Sequence, residues 1–247
     1  MSDLKNTPII EVEHLTKKFG GLTAVDDVSV HLNRGEILGL IGANGAGKTT
    51  LFNMISGVFP PTSGKIIFDG QEIQNMKTHD VCKLGIGRTY QVVQPFTTLT
   101  LRENVLAGAL MRHPKVKDAG EIADGIIHML GIDHLKDVSG GSLTLIQLKR
   151  MEIARALATE PKVLLLDECM AGLTPGERVE LLETVQTIKE QGMSIIIIEH
   201  VMKVIMTLAD RAYVLNQGKL IAQGTPAEVM ENPKVIESYI GEKRYAS

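Results

Sequence analysis

Residues 37–50, Ile37-Leu38-Gly39-Leu40-Ile41-Gly42-Ala43-Asn44-Gly45-Ala46-Gly47-Lys48-Thr49-Thr50, decide how the rest of the chain is read. Ile37 to Ile41 are apolar one after another, as in a strand covered on both faces. Gly42 to Gly47 make a glycine-rich turn, and a helical stretch follows from Thr50 to Ser56. Strand, G-x-x-x-x-G-K-T loop and helix in that order fit the phosphate-binding P-loop. Glycines let the main chain wrap tightly, so that successive N–H groups point into one concavity, and the helix adds its positive end. Lys48 is then placed to reach the β- and γ-phosphates of a nucleotide, and the Thr49 hydroxyl to ligate Mg²⁺. A ligand-free glycine turn is the bland alternative, and it leaves the Lys-Thr pair unexplained.

A second stretch supports this reading. Val163-Leu164-Leu165-Leu166-Asp167-Glu168 is an apolar strand ending in two carboxylates. Such a strand end suits a metal-shell carboxylate at Asp167 and a water-orienting one at Glu168. A lone acidic strand end is commonly just solvated. Together the two stretches imply a nucleoside triphosphatase and no more.

Outward from them, apolar runs alternate with helical patterns, which predicts a mostly parallel sheet covered by helices. Ile195 to Ile198 is a third buried-strand candidate, and Val179 to Lys189 places Leu181, Val185 and Ile188 at helical spacing. Ile9 to Val30 alternates polar and apolar residues around Gly20-Gly21, which predicts antiparallel strands at one edge. Pro95 to Lys149 lacks a strand pattern and carries helical ones at Leu101–Met111 and Glu121–Leu130, the pattern of a helical insertion. Arg211 to Gly224 reads as a hairpin.

The 247 residues are 44% hydrophobic and 22% charged, the balance of a soluble globular chain. No apolar run approaches the roughly 18 residues of a membrane helix, and the N-terminus lacks the order of a signal peptide. A formal net charge of -3 gives no basic excess for nucleic acid. Cys82 and Cys169 cannot build a disulfide framework and read as reduced thiols, with Cys169 a small buried residue.

The chain resembles the nucleotide-binding subunit of an ABC transporter over nearly its whole length. Phe19 in KKFGG matches the aromatic position that stacks on adenine. Gln91 in GIGRTYQ matches the Q-loop glutamine, His200 in IIIIEHVM the switch histidine, and Ala171-Gly172-Leu173-Thr174-Pro175 the D-loop. Arg150 to Ala156, RMEIARA, matches the helix after the family signature. Taken singly, Phe19 is equally a packing residue, Gln91 a loop amide and His200 a capping or core histidine. The resemblance implies an α/β fold with a P-loop NTPase (RecA-like) core, an antiparallel β edge subdomain and an inserted α-helical subdomain. As one ABC ATPase domain over 1–247, its core and edge fall at 1–94 and 151–247 and its helical subdomain at 95–150. It also implies ATP and Mg²⁺ as cofactors. Gly42, Ala43, Asn44, Gly45, Ala46, Gly47, Lys48, Thr49 and Thr50 would hold the nucleotide with Phe19. Thr49, Gln91 and Asp167 would hold the metal, and Glu168, His200 and Gln91 would serve hydrolysis.

One departure matters. Ungapped counting back from Ile153-Ala154-Arg155-Ala156 puts the signature, typically LSGGQ, on Leu143-Thr144-Leu145-Ile146-Gln147 and not on the nearby Ser139-Gly140-Gly141. The two usual small positions are then Leu145 and Ile146, and an Ile side chain is expected to crowd the approach to the opposite subunit's γ-phosphate. A small indel, leaving Ser139-Gly140-Gly141 as the working signature, is the alternative. The departure predicts a heterodimer with a second, non-identical ABC ATPase subunit, one site mainly hydrolysing and the other mainly holding ATP.

KKFGGLTAVDDVS, GIGRTYQ, ENVL, MAGLTPGE and IIIIEHVMKVIM, with VLNQGKLIAQGTPAEVMENPKVIESYIGE, resemble the importer subfamily for branched-chain amino acids and related solutes. That resemblance implies transmembrane permease partners, an external solute-binding protein and a peripheral position on the cytoplasmic face of the cell membrane. A lipid-exporting ABC ATPase, a non-transport ABC ATPase and a low-turnover regulatory subunit are the competing readings. A P-loop GTPase is disfavoured by the lack of an Asn-Lys-x-Asp motif, and nucleic acid by the acidic balance.

Overall fold

The antiparallel opening forms as expected: β1 (Pro8–Phe19) and β2 (Leu22–Asn33) pair across a turn at Gly20-Gly21. They make a sheet of their own, in which β1 also pairs with β4 (Ser63–Phe68) and β4 with β5 (Gln71–Glu72), in the order β2-β1-β4-β5. The pairing along β1 is interrupted by register shifts, and His14 and Asp27 sit in left-handed backbone at these breaks. Such bulges increase twist and re-aim side chains.

The computed structural model describes residues 8–238. Its contacts divide the chain into two units, one running up to Val81 and resuming at Ser194, the other spanning Cys82–Met193.

In the first unit β3 (Ile37–Gly42) runs parallel to β8 (Ser194–Ile198) and to β9 (Arg211–Asn216), with β10 (Lys219–Gly224) antiparallel beyond β9. Every residue of β3 and β8 is buried, which explains the apolar runs Ile37–Gly42 and Ile195–Ile198. Gln217 and Gly218 join β9 to β10 with φ of 47° and 78°, the two positive values that a tight hairpin turn needs. The helices of this unit include α1 (Lys48–Ile55), α7 (Met202–Leu208) and α8 (Pro226–Glu231). The division between units falls within α2 (Thr78–Leu84).

The second unit pairs β6 (Ile86–Arg88) with β7 (Val163–Asp167) in parallel. Residues 95–150 contain no strand, only an isolated bridge between Thr100 and Ser139. Their helices are α3 (Leu101–Ala109), α4 (Val116–Met129) and the first half of α5 (Leu145–Leu157). α6 (Pro175–Glu190) follows β7 and buries Leu181, Val185 and Ile188, the stripe its spacing predicts. It starts at Thr174, whose main-chain N–H donates to Glu177 at 2.8 Å, with Pro175 opening the first turn. The same Thr-Pro-x-Glu chemistry starts α8 at Thr225.

Candidate functional site

The first unit holds the glycine loop. Gly47 is the N-cap of α1 with φ of 101°, and a Cβ there would lie 2.5 Å from the Ala24 carbonyl oxygen. Only glycine satisfies both conditions. The loop is braced from two sides: the Gly218 N–H donates to the Ala46 carbonyl at 3.0 Å, and the Asp26 N–H donates to the Gly218 carbonyl at 2.8 Å. The β9–β10 turn thus ties the loop to β2. Lys48 is buried, and its Nζ donates to the carbonyl oxygens of Gly42 at 2.7 Å and Ala43 at 2.8 Å. It is therefore folded back over its own loop. Thr49 is exposed and Thr50 half-buried at the start of α1.

Phe19 and His200 belong to the same unit. Phe19 is exposed and meets Phe59 edge to face at 5.4 Å, while Lys17 Nζ lies 5.2 Å from the Phe19 ring centre and 4.8 Å from that of Phe59. A cation over two ring faces holds an aromatic pair in place without burying it. His200 is exposed just past the end of β8, directly after the buried Glu199.

The second unit holds the carboxylates. Asp167 closes β7, buried, and its Oδ2 accepts from Arg88 Nη2 at 2.9 Å. Glu168 follows in left-handed backbone with φ of 47°, and its Oε2 accepts from Gln91 Nε2 at 2.7 Å. Three of the expected residues, Gln91, Asp167 and Glu168, are thus brought together. Glu152, buried in α5, accepts the Tyr90 N–H at 3.0 Å. Burial pushes its carboxyl above the ordinary value, while the Tyr90 N–H pulls the other way. Among the described residues no three His, Cys, Asp or Glu side chains cluster as a ready-made metal cage.

Leu143 to Gln147 lie where α5 begins. Thr144 is its N-cap, and the Thr144 N–H donates to Gln147 Oε1 at 2.9 Å. One expectation is corrected here. Ile146 is 8% exposed and turned inward, whereas Leu145 is 42% exposed, so the outward bulk belongs to Leu145. Neighbouring helical residues point about 100° apart, and here Ile146 takes the core side and Leu145 the outer one. Leu145 Cδ2 lies where a Cβ on Gly172 would approach to 3.1 Å, so this side chain leans over the 171–175 segment.

Ser139-Gly140-Gly141 has a different surrounding. Ser139 Oγ donates to the Thr97 carbonyl at 2.7 Å, and the Gly140 and Gly141 N–H groups donate to the carbonyls of Leu99 and Thr97. A Cβ on Gly140 would stand 2.8 Å from the Phe96 carbonyl oxygen. Close main-chain packing against residues 96–99 accounts for these glycines.

Comparison with known proteins identifies the family and the fold. The family model described as ABC transporter matches residues 25–171. The chain belongs to the ABC transporter family. A second model, described as branched-chain amino acid ATP-binding cassette transporter, matches residues 219–244. The high-affinity branched-chain amino acid transport ATP-binding protein BraF of Pseudomonas aeruginosa is 38% identical, over 95% of this chain and 98% of its own. The corresponding LivG protein of Escherichia coli is 36% identical with the same coverage. A nucleotide-free ATP-binding cassette from an ABC transporter superposes with a TM-score of 0.86 at 33% identity, covering 94% of this chain and 99% of that one. A second solved cassette in its ADP conformation gives a TM-score of 0.86 at 33% identity, with 96% and 100% covered. The fold is therefore the α/β cassette of ABC ATPases, and this chain is an ATP-binding, ATP-hydrolysing member.

Three residues of this cassette were not singled out by sequence reasoning: Arg88, Lys149 and Glu152. Each is a charged side chain buried in the second unit, and charge in a sequence ordinarily signals a solvated face. Asn104, in the ENVL stretch, is a fourth. Fully buried, it accepts the Phe96 N–H at 2.8 Å and donates to the carbonyls of Phe96, Leu99 and Thr100. It organises the turn that enters α3.

Proposed function

We propose that this cassette powers import of a branched-chain amino acid or a chemically similar small solute. It would do so from the cytoplasmic face of the cell membrane, through separate transmembrane permease subunits served by an external solute-binding protein. The observation that carries this reading is the full-length likeness to two proteins named for branched-chain amino acid transport, joined by the separate match at residues 219–244. Among the described residues no helix is long and apolar enough to cross a membrane. On this reading residues 1–247 form one ABC ATPase domain whose helical subdomain is 95–150.

In the site, Phe19 stacks on adenine, held by Phe59 and Lys17. The N–H groups from Gly42 to Thr50 receive the phosphates, and Lys48 exchanges the carbonyls of Gly42 and Ala43 for phosphate oxygens. Thr49, Gln91 and Asp167 would hold the metal through side-chain oxygens, the hard donors that Mg²⁺ takes. When bound, Mg²⁺ would neutralise charge on the terminal phosphates. Glu168 orients the attacking water, and His200 contacts the γ-phosphate. Gln91, hydrogen-bonded to Glu168 at 2.7 Å, reports to the exposed segment through Val92 and Phe96 that would meet a permease.

Leu143, Thr144, Leu145, Ile146 and Gln147 would close over ATP bound to a second, non-identical ATPase subunit. Leu145 supports that asymmetry, because its exposed bulk stands where the family has a small residue. The experiment is ATP turnover by the purified chain alone and with its cognate partner subunit. Turnover that is low alone and restored in the mixture is expected; vigorous cooperative hydrolysis by the lone chain would refute the asymmetry. Purifying the chain from membranes and identifying the attached permease tests the transport assignment.

A further inference from the structure

α5 buries two charged side chains three residues apart, Lys149 at 3% and Glu152 at 4% exposure. Spacing of three puts them on one face of the helix. Charges so deeply placed cost free energy unless they are satisfied there. Neither belongs to the residues assigned above to nucleotide, metal or water. Their partners are main-chain groups. Glu152 Oε1 accepts the N–H of Tyr90 at 3.0 Å, and Tyr90 immediately precedes Gln91. Lys149 Nζ donates to the carbonyl oxygen of Glu168 at 3.4 Å. Gln91 and Glu168 are themselves joined side chain to side chain at 2.7 Å. One helix therefore grips the backbone beside both ends of that pair. Farther along, Arg155 Nη1 donates to the Gln94 carbonyl at 3.1 Å, and its guanidinium lies 5.6 Å from the Phe96 ring centre, so the same helix also holds the exit of the Gln91 segment.

We propose that Lys149 and Glu152 are positioning residues that fix the Gln91–Glu168 pair to α5, so that a displacement of this helix at its Thr144 end is delivered to the water-orienting carboxylate within the same chain. Glu152 lies about 12 Å along the axis from Thr144, at about 1.5 Å per residue. A helix is stiff over that distance, and the three grips are spread along its length. The inference rests on the roles given above to Gln91 and Glu168, and it adds a route by which contact at the signature end of one chain reaches that chain's own hydrolytic residues.

The test compares Glu152→Ala with Glu152→Gln in the full chain assembled with its partner subunit. Gln keeps an oxygen that accepts the Tyr90 N–H; Ala removes it. In Glu152→Ala, amide exchange at Tyr90 should accelerate about tenfold or more, the loss expected for a hydrogen bond to a charged acceptor. ATP turnover should fall about tenfold while the dissociation constant for ATP stays within about twofold, the signature of lost positioning and not of lost binding. Glu152→Gln should restore both readouts. Unchanged Tyr90 exchange in Glu152→Ala overturns the contact, and Glu152→Gln as impaired as Glu152→Ala overturns the positioning role. If Glu152→Ala does not fold, Lys149→Met probes the other grip: turnover about tenfold lower at unchanged ATP affinity is expected, and unchanged turnover overturns the proposal. The exchange readout needs no hydrolysis, so a failure of the roles given to Gln91 and Glu168 would appear separately, as wild-type-like turnover in variants of those two residues.

Discussion

Replacing Arg88 with alanine tests how the carboxylate half of the site is held. Arg88 and Asp167 are 9% and 3% exposed at the side chain, and their 2.9 Å contact joins the last residue of β6 to the last residue of β7. Water reaches neither charge freely, so removing one partner leaves the other a buried charge without its ion pair. A broken buried pair costs about 3–5 kcal/mol, most of it the desolvated charge left behind. The Arg88 guanidinium also lies 5.1 Å from the Tyr90 ring centre, a contact worth about 0.5–1 kcal/mol and lost in the same variant. For a chain of this length each kcal/mol shifts Tm by about 2–4 °C, so the combined loss of about 3.5–6 kcal/mol should melt Arg88→Ala about 7–24 °C below wild type. The assay is calorimetric or circular-dichroism melting of Arg88→Ala, Asp167→Asn and the combination of the two. The combination orphans no charge and should be more stable than the sum of the single losses by about 0.5–3 kcal/mol. A Tm for Arg88→Ala within about 2 °C of wild type, or strict additivity in the combination, would refute the reasoning.

Gly140→Ala should destabilise by about 1–3 kcal/mol, because the new methyl meets the Phe96 carbonyl at 2.8 Å, yet leave ATP turnover per folded molecule unchanged. A selective loss of turnover at full stability would return the signature to Ser139-Gly140-Gly141. Leu145→Gly should raise turnover of the lone chain while costing about 0.5–1 kcal/mol of helix stability, read by ATPase assay and urea titration. Unchanged turnover would remove steric bulk as the cause of asymmetry. Glu168→Gln should keep ATP bound in a closed assembly and lower turnover by about 100-fold or more, measured by nucleotide trapping and phosphate release. Normal turnover there would deny Glu168 its role.

Much of the core was legible because burial on both faces leaves a mark that needs no partner information. β3, β7 and β8 are buried at every residue, and each carries an apolar run of at least four residues. The β9–β10 hairpin was legible in the run Arg211–Gly224, although Gln217 is not a residue that announces the positive φ it adopts beside Gly218. The separate sheet was not. β4, Ser-Gly-Lys-Ile-Ile-Phe, has little alternation, and its pairing with β1 is a long-range matter that no local pattern records. The glycine loop and the acidic strand end stood out because their chemistry requires particular residue types at fixed spacing. Arg88, Lys149 and Glu152 did not, because nothing in a charged residue's neighbours along the chain announces that tertiary packing will bury it. The inward turn of Ile146 was missed for a related reason: helical phase at a first turn depends on where the cap falls, and Thr144 sets it.

The correction at Leu145 and Ile146 changes what the unusual signature would do. Had both side chains faced outward, the start of α5 would be walled off and its N-terminal N–H groups useless to an anion. With Ile146 inside, Thr144 capping the helix and Gln147 bonded back to the Thr144 N–H, that helix end is intact and keeps its positive dipole end. What remains is a single half-exposed leucine leaning toward Gly172. Such a side chain adds distance without removing donors, and electrostatic attraction falls only inversely with distance. The asymmetry proposed for the assembly is therefore graded: a nucleotide facing this signature would be held more loosely and hydrolysed more slowly, not refused. It also follows that the two ends of α5 can be disturbed separately. Trimming Leu145 acts at the partner's nucleotide and, through α5, on this chain's own Glu168 as well, whereas disturbing Glu152 acts on Glu168 alone, so Leu145→Gly should change both sites of the complex and Glu152→Ala only one.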